Sequence, residues 1–157
     1  MTVRIGQGFD VHAFSDDETR QLVLGGVQIT DHRGLHGHSD ADVIAHACAD
    51  ALLGAAGLGD IGQHFSDTDP QWKNADSMLI LEKVINMVNG DGWSVGNIDL
   101  TVICESPKIA PYREEIQAKL SAIVGAPVSV KGKRAEGLGA LGRAEGIACF
   151  AVTVVEK

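Results

Sequence analysis

Residues 37–62 read GHSDADVIAHACADALLGAAGLGDIG, and the architecture turns on them. Val43, Ile44, Ala47, Ala51 and Leu52 recur at helical spacing, which predicts a helix with one buried stripe. Ser39 is a good N-cap, Asp42 three residues on supports the first turn, and glycine at 54–57 ends the run. His46 shares a stripe with Asp42 and Asp50, four residues from each. A long polar loop, residues 58–76, follows, and loops of that length usually carry function.

On the N-terminal side, Val3–Ile5 and Leu22–Ile29 predict strands, the second interrupted by Gly25-Gly26. The polar stretch Ser15–Arg20 separates them. On the C-terminal side a second helix fits Ser77–Val88, stopped by Asn89-Gly90. Val95–Cys104 alternates as a strand. Pro111–Val124 predicts a third helix with proline in its first turn. Val128–Lys131 and Ile147–Val155 are the last strands, flanking the glycine-rich connection Gly132–Gly146. The order β-β-α-α-β-α-β-β is mixed. It predicts a single α+β or α/β domain over residues 1–157, with one sheet and helices on one face.

Composition bounds the function. The 157 residues are 45% hydrophobic and 22% charged, as in a soluble globular domain. Acids outnumber bases 21 to 13, for a net charge of −8, which argues against nucleic acid or an anionic lipid surface as partner. Aromatics at 4% are too few for a base-stacking platform. The apolar stretches Val43–Leu58 and Ile147–Val155 do not suit a bilayer span, being interrupted or short. The N-terminal MTVRIGQGFDVH has no signal-like apolar block. Cys48, Cys104 and Cys149 form no C-x-x-C pair, and a reducing cytoplasmic location is expected.

Four clusters offer chemistry. Asp10-x-His12 on an extended segment puts both side chains on one face, because the strand period is two. With His46 they make a carboxylate and two imidazoles, a set that suits zinc with one position open. Ordinary hydrogen-bonded histidines are the alternative. His36-Gly37-His38-Ser39-Asp40 leads into a helix N-terminus, where free N–H groups attract phosphate, although Ser39 alone reads equally as a cap. The stretch Gly59-Asp60-Ile61-Gly62 to Phe65-Ser66-Asp67-Thr68-Asp69 suits sugar hydroxyls, a cation, or a set of Asx turns. Lys131–Arg143 is the one local basic concentration. There Lys133, Arg134 and Arg143 suit a phosphate, and Glu136 a Mg²⁺ ion held against it. A solvated loop is the alternative. Neither a Walker loop nor a G-x-S-x-G elbow is present.

Taken together and in order, RIGQGFDVHAF, LVLGGVQI, GHSDADVIAHACADALLGAAGLGDIG, HFSDTDP, ADS, ESPKIAP and EGLGALGRAEGIA resemble the 2-C-methyl-D-erythritol 2,4-cyclodiphosphate synthase family from end to end. The length is that of the free-standing enzyme rather than a fusion. The resemblance implies an α+β homotrimer with active sites at subunit junctions. It implies a lyase of the non-mevalonate isoprenoid pathway. In that reaction the 2-phosphate of a cytidine-diphosphate-linked methylerythritol attacks the β-phosphorus, releasing CMP and closing a cyclic diphosphate. Asp10, His12 and His46 would hold one zinc per subunit, and Glu136 a second cation, Mg²⁺ or Mn²⁺. His38 and Ser39 would meet the methylerythritol phosphate, His38 as a catalytic group. Asp60, Ile61 and Gly62, with Phe65, Asp67 and Asp69, would line the sugar end. Cys104, Pro107, Lys108, Ile109 and Ala110 would form the cytosine pocket. Lys133 and Ala135 would touch phosphate.

Two departures stand out. Where the family carries threonines before the glutamate, this chain has Lys133-Arg134-Ala135, so Arg134 is expected to substitute in part for a threonine hydroxyl or for the second cation; the alternative is that Lys133 and Arg134 point to solvent and only backbone N–H groups touch phosphate. Ala140 replaces a frequent aromatic beside Arg143, a residue the family places at an axial cavity. A zinc-dependent phosphohydrolase of a nucleotide diphosphate is the competing reading of the same ligands, and a metal-stabilised trimeric binding protein is a third.

Overall fold

An eleven-residue strand, β1 (Val3–Ala13), opens the chain, so Asp10 and His12 lie within regular strand. In this computed structural model, which describes residues 1–157, β1 pairs antiparallel along its length with β6 (Gly146–Glu156). On its other side β6 pairs antiparallel with β4 (Ser94–Ile103), and β4 pairs parallel with β5 (Val128–Lys133). The sheet is therefore mixed, in the order β1-β6-β4-β5. The expected single sheet needs correction. Gly25 and Gly26, both at positive φ, fold the Leu22–Ile29 run into a hairpin of β2 (Leu22–Leu24) and β3 (Val27–Ile29) that stays outside the main sheet.

The helices are α1 (Val43–Ala56), α2 (Ile61–His64), α3 (Ser77–Gly90), α4 (Arg113–Val124) and α5 (Gly139–Gly142). The 58–76 loop thus contains a short helix, and a 3₁₀ turn at Pro70–Trp72. Asp76 caps α3 by accepting from Met78 N–H at 2.9 Å. Gly6 and Gly8 decide how α1 sits. A Cβ on Gly6 would lie 2.0 Å from the Ala51 carbonyl oxygen, and one on Gly8 1.9 Å from that of Ala47. The helix backbone rests directly on β1, and its Ala47, Ala51 and Ala55 meet the strand with minimal side chains. Core side chains such as Ile44, Leu52, Leu81, Ile98, Leu100 and Ile147 are fully buried around this contact. The other face of the sheet shows Val3, Ile5, Phe9, Val11, Phe150 and Val152 exposed, with the Phe9 and Phe150 rings 4.8 Å apart.

The start of α1 also differs from expectation. Ser39 is not its cap, because Ala41 adopts φ 58° and interrupts any helix reaching back to it. Asp42 caps instead. Its Oδ1 accepts from Ile44 and Ala45 N–H, both at 3.1 Å, and from Gly25 N–H at 2.8 Å, while Oδ2 accepts from Gly26 N–H at 2.8 Å. Burial and the neighbouring Asp40 push this carboxyl up to about 6, and the N–H donors hold the anion against that push. Asp42→Ala strands four N–H groups, three of them in buried bonds, so we expect a loss of about 3 kcal/mol or more in urea unfolding, with Asp42→Asn losing less.

Candidate functional site

The face of β1 that carries Gly6 and Gly8 continues with Asp10 and His12, because alternate residues share a face. Where the glycines end, α1 offers His46. Asp10 Oδ2 lies 2.9 Å from His12 Nε2 and 3.0 Å from His46 Nδ1. One ligand atom from each residue falls within 4.8 Å of the other two. The sequence reading brought these three together correctly.

The donor set fits a divalent cation. His12 Nδ1 donates to the His36 carbonyl at 2.8 Å, which leaves Nε2 to face the cluster. That nitrogen is buried and has no hydrogen-bond partner of acceptable geometry, close as it is to Asp10. A lone pair set against a carboxylate is stable only with a proton or a cation between them, and two imidazoles with one carboxylate are zinc-type ligands. Burial alone would raise the Asp10 carboxyl, but hydrogen bonds and charge from both histidines hold it well below the usual carboxylate range. Burial alone would lower His12, but Asp10 and the His36 carbonyl outweigh it and raise the imidazole above its ordinary value.

The cluster forms one wall of a cavity of about 550 Å³. His38, Ser39, Ile61, Gly62, Phe65 and Asp67 line it as expected, joined by His36, Gly37, Trp72 and Ile80. His38 Nε2 donates to the Asp69 carbonyl at 2.9 Å, tying the histidine to the 58–76 loop. Trp72 escaped the sequence reading. An aromatic in a polar loop was the available signal, and it packs edge-on against Phe65 with centroids 5.1 Å apart. Two expected ligands do not line the cavity. Asp60 caps α2 through Gln63 N–H at 3.0 Å, and Asp69 caps the 3₁₀ turn through Gln71 N–H at 3.0 Å. Asp50, unassigned in the sequence, accepts from Ile61 N–H at 2.8 Å and pins that loop to α1.

The remaining expected residues gather elsewhere. Cys104, Pro107, Lys108, Ile109, Ala110, Lys133 and Arg134 line a second cavity of about 280 Å³, with Glu105, Arg113 and Gly132. It shares no residue with the first. Arg134 is engaged within the chain: its Nε and Nη2 donate to Glu105 Oε2 at 2.9 and 2.6 Å. Those bonds hold the Glu105 carboxyl below its usual range. Ala135 and Glu136 line neither cavity, and Arg143 pairs with Glu145 at 2.9 Å. Glu136 sits at φ 54° in an exposed turn.

Comparison with known proteins gives the same outline. A model of the YgbB family matches residues 3–156. The 2-C-methyl-D-erythritol 2,4-cyclodiphosphate synthase of Rubrobacter xylanophilus is 54% identical, over 98% of this chain and 95% of its own length. Among solved structures, the bifunctional IspDF of Campylobacter jejuni is similar with a TM-score of 0.93 and 41% identity, over 98% of this chain and 42% of that longer one. A Plasmodium falciparum IspF in complex with CDP has a TM-score of 0.84 and 36% identity, over 98% of this chain and 95% of its own.

Metal binding should depend on pH in a defined direction. A metal held by this cluster would need neutral His12, whose proton is held more tightly than that of a free imidazole. On acidification, cobalt or zinc affinity measured by titration should therefore begin to fall above pH 6.5, the ordinary histidine value.

Proposed function

The chain belongs to the YgbB family, and from that premise we propose that it converts 4-diphosphocytidyl-2-C-methyl-D-erythritol 2-phosphate to 2-C-methyl-D-erythritol 2,4-cyclodiphosphate and CMP. It is a phosphorus–oxygen lyase of isoprenoid biosynthesis. The observation that carries this reading is the Asp10–His12–His46 cluster on the wall of the larger cavity, in a chain half identical to proteins of that name. A phosphohydrolase using the same ligands is not favoured.

The nucleophile is already an anion, so no strong base is required. The work is to bring two negative groups into line and to neutralise charge as it develops. In this reading Asp10, His12 and His46 would hold zinc, which when bound would supply Lewis-acid chemistry to the diphosphate. His38, held by the Asp69 carbonyl, and Ser39 orient the methylerythritol phosphate. Ile61 and Gly62, with Phe65 and Asp67, enclose the sugar and exclude water. We assign cytosine to the second cavity, around Pro107, Lys108 and Ala110. Lys133 and the Ala135 backbone approach the phosphates. Arg134 reaches them by exchanging Glu105 for phosphate, to which its guanidinium fork donates more strongly than a threonine hydroxyl could. Glu136, exposed in its turn, would be the carboxylate to hold a second cation, Mg²⁺ or Mn²⁺, which would offset phosphate charge.

The two cavities on one chain each suit half of such a substrate. We infer a homotrimer in which the metal cavity of one subunit abuts the basic cavity of the next. The exposed apolar face of β1 and β6 supports self-association, since a patch of that kind is costly in water. Light scattering should give about three times the 16.5 kDa of the chain, and Phe9→Asp should dissociate it with loss of turnover. We assign the cytoplasm, where the three buried, unpaired cysteines stay reduced. No helix is long and apolar enough to cross a membrane.

The deciding experiment is product analysis by phosphorus NMR. Equal amounts of cyclic diphosphate and CMP are expected. Free phosphate or a linear diphosphate would instead identify a hydrolase. His46→Ala should lose stoichiometric zinc by elemental analysis and lose turnover with it.

A further inference from the structure

We propose that Asp40 and Ser77 are positioning residues that decide which nitrogen of His46 faces the metal. The inference rests on the metal reading of the Asp10–His12–His46 cluster. His46 turns Nδ1 toward Asp10 Oδ2 at 3.0 Å, while Nε2 lies 2.8 Å from Ser77 Oγ. Ser77 is fully buried at the first turn of α3, and its hydroxyl has one proton to give. Asp40 Oδ1 lies in hydrogen-bond contact with that hydroxyl, and an ionised carboxylate can only accept. The Ser77 proton therefore goes to Asp40. Its oxygen is left as an acceptor facing His46 Nε2 at 2.8 Å, nearer than the Ser39 hydroxyl, which lies 3.4 Å from it and 3.3 Å from Nε2, so His46 Nε2 carries the hydrogen that fills it.

Asp40 is itself fixed for this task. Asp42 N–H donates to its Oδ1 at 3.0 Å, and Ser77 N–H donates to its Oδ2 at 3.1 Å. The polarity runs one way, from carboxylate through hydroxyl to imidazole, and ends with the Nδ1 lone pair aimed into the cluster. The opposite tautomer would place N–H on Nδ1, satisfy Asp10 directly and remove a metal ligand. His12 solves the same problem with the other nitrogen. There the His36 backbone carbonyl takes the Nδ1 hydrogen and leaves Nε2 free. Partners of this kind fix the tautomer and orientation of metal-binding histidines in general, and removing one typically costs 10–100-fold in metal affinity.

The test has two readouts on the full chain. The first is ¹⁵N NMR of labelled histidine in protein supplied with one equivalent of zinc. The wild type should show the Nε2–H tautomer, and Ser77→Ala should shift toward Nδ1–H. The second is zinc affinity by competition with a chelator. Ser77→Ala should weaken it by about 10–100-fold, and Asp40→Asn, which keeps a neutral acceptor, by less. Ser77→Thr retains the hydroxyl and should retain most of the affinity, which a purely structural role for Ser77 would not predict. If Ser77→Ala fails to fold, Asp40→Asn carries the comparison by both readouts. An Nδ1–H tautomer in the wild type overturns the proposal, as does unchanged affinity in the variants. A wild type that shows Nε2–H yet takes up no zinc overturns it through the metal reading, and so separates that failure from a wrong tautomer.

Discussion

Everything about the site depends on how closely α1 lies against β1. At Gly6 and Gly8 there is no room for a single carbon beyond the backbone. Substituting either forces helix and strand apart, and the displacement is felt most where their side chains must meet. Two residues further along the same face the strand changes from no side chain to Asp10 and then His12. The helix answers with His46. A packing rule, small against small, thus becomes a coordination geometry without any loop between them. Sites built on paired regular elements hold tighter tolerances than sites built on loops, and a cation cluster needs them.

Much of this was legible in the sequence. The period of two set Asp10 and His12 on one face, and the period near four placed His46 on a helix. The three helices of the reading and the mixed topology followed from ordinary spacing and stop signals. The helix start was misplaced because Ser39 and Asp42 are both good caps, and the choice between them depends on Ala41 taking a left-handed backbone. No propensity announces that. The hairpin read as a strand because Leu22–Ile29 is apolar on both sides of its glycines. The contacts made by Asp40, Ser77, Asp50 and Glu105 were invisible, because each acts on a partner distant in sequence. Ser77 lies 31 positions from His46, and Glu105 lies 29 from Arg134.

Charge is divided in the same way as shape. The protein is acidic overall, yet Lys108, Arg113, Lys133 and Arg134 converge on one small cavity. Arg113 Nε is buried there without a hydrogen-bond partner. Only Glu105 offsets these cations within the cavity, so an anion entering it would compete with one carboxylate. The first cavity has the opposite character, with histidines and carboxylates that need a cation before they welcome a phosphate. A substrate bearing several phosphates and a nucleobase therefore meets two differently prepared surfaces.

The four N–H bonds to Asp42 have a dynamic consequence. The β2–β3 hairpin has no ladder to the main sheet, so it would ordinarily be among the first parts of the fold to open. Its turn, however, shares one buried carboxylate with the first turn of α1, and Lys119 of α4 adds a bond to the Gly26 carbonyl at 2.9 Å. Opening the hairpin strips two of the four donors from the carboxylate that caps the helix bearing His46. In native-state hydrogen exchange the amides of Gly25 and Gly26 should therefore behave as part of the α1 cooperative unit, protected far longer than a two-stranded ribbon could manage alone.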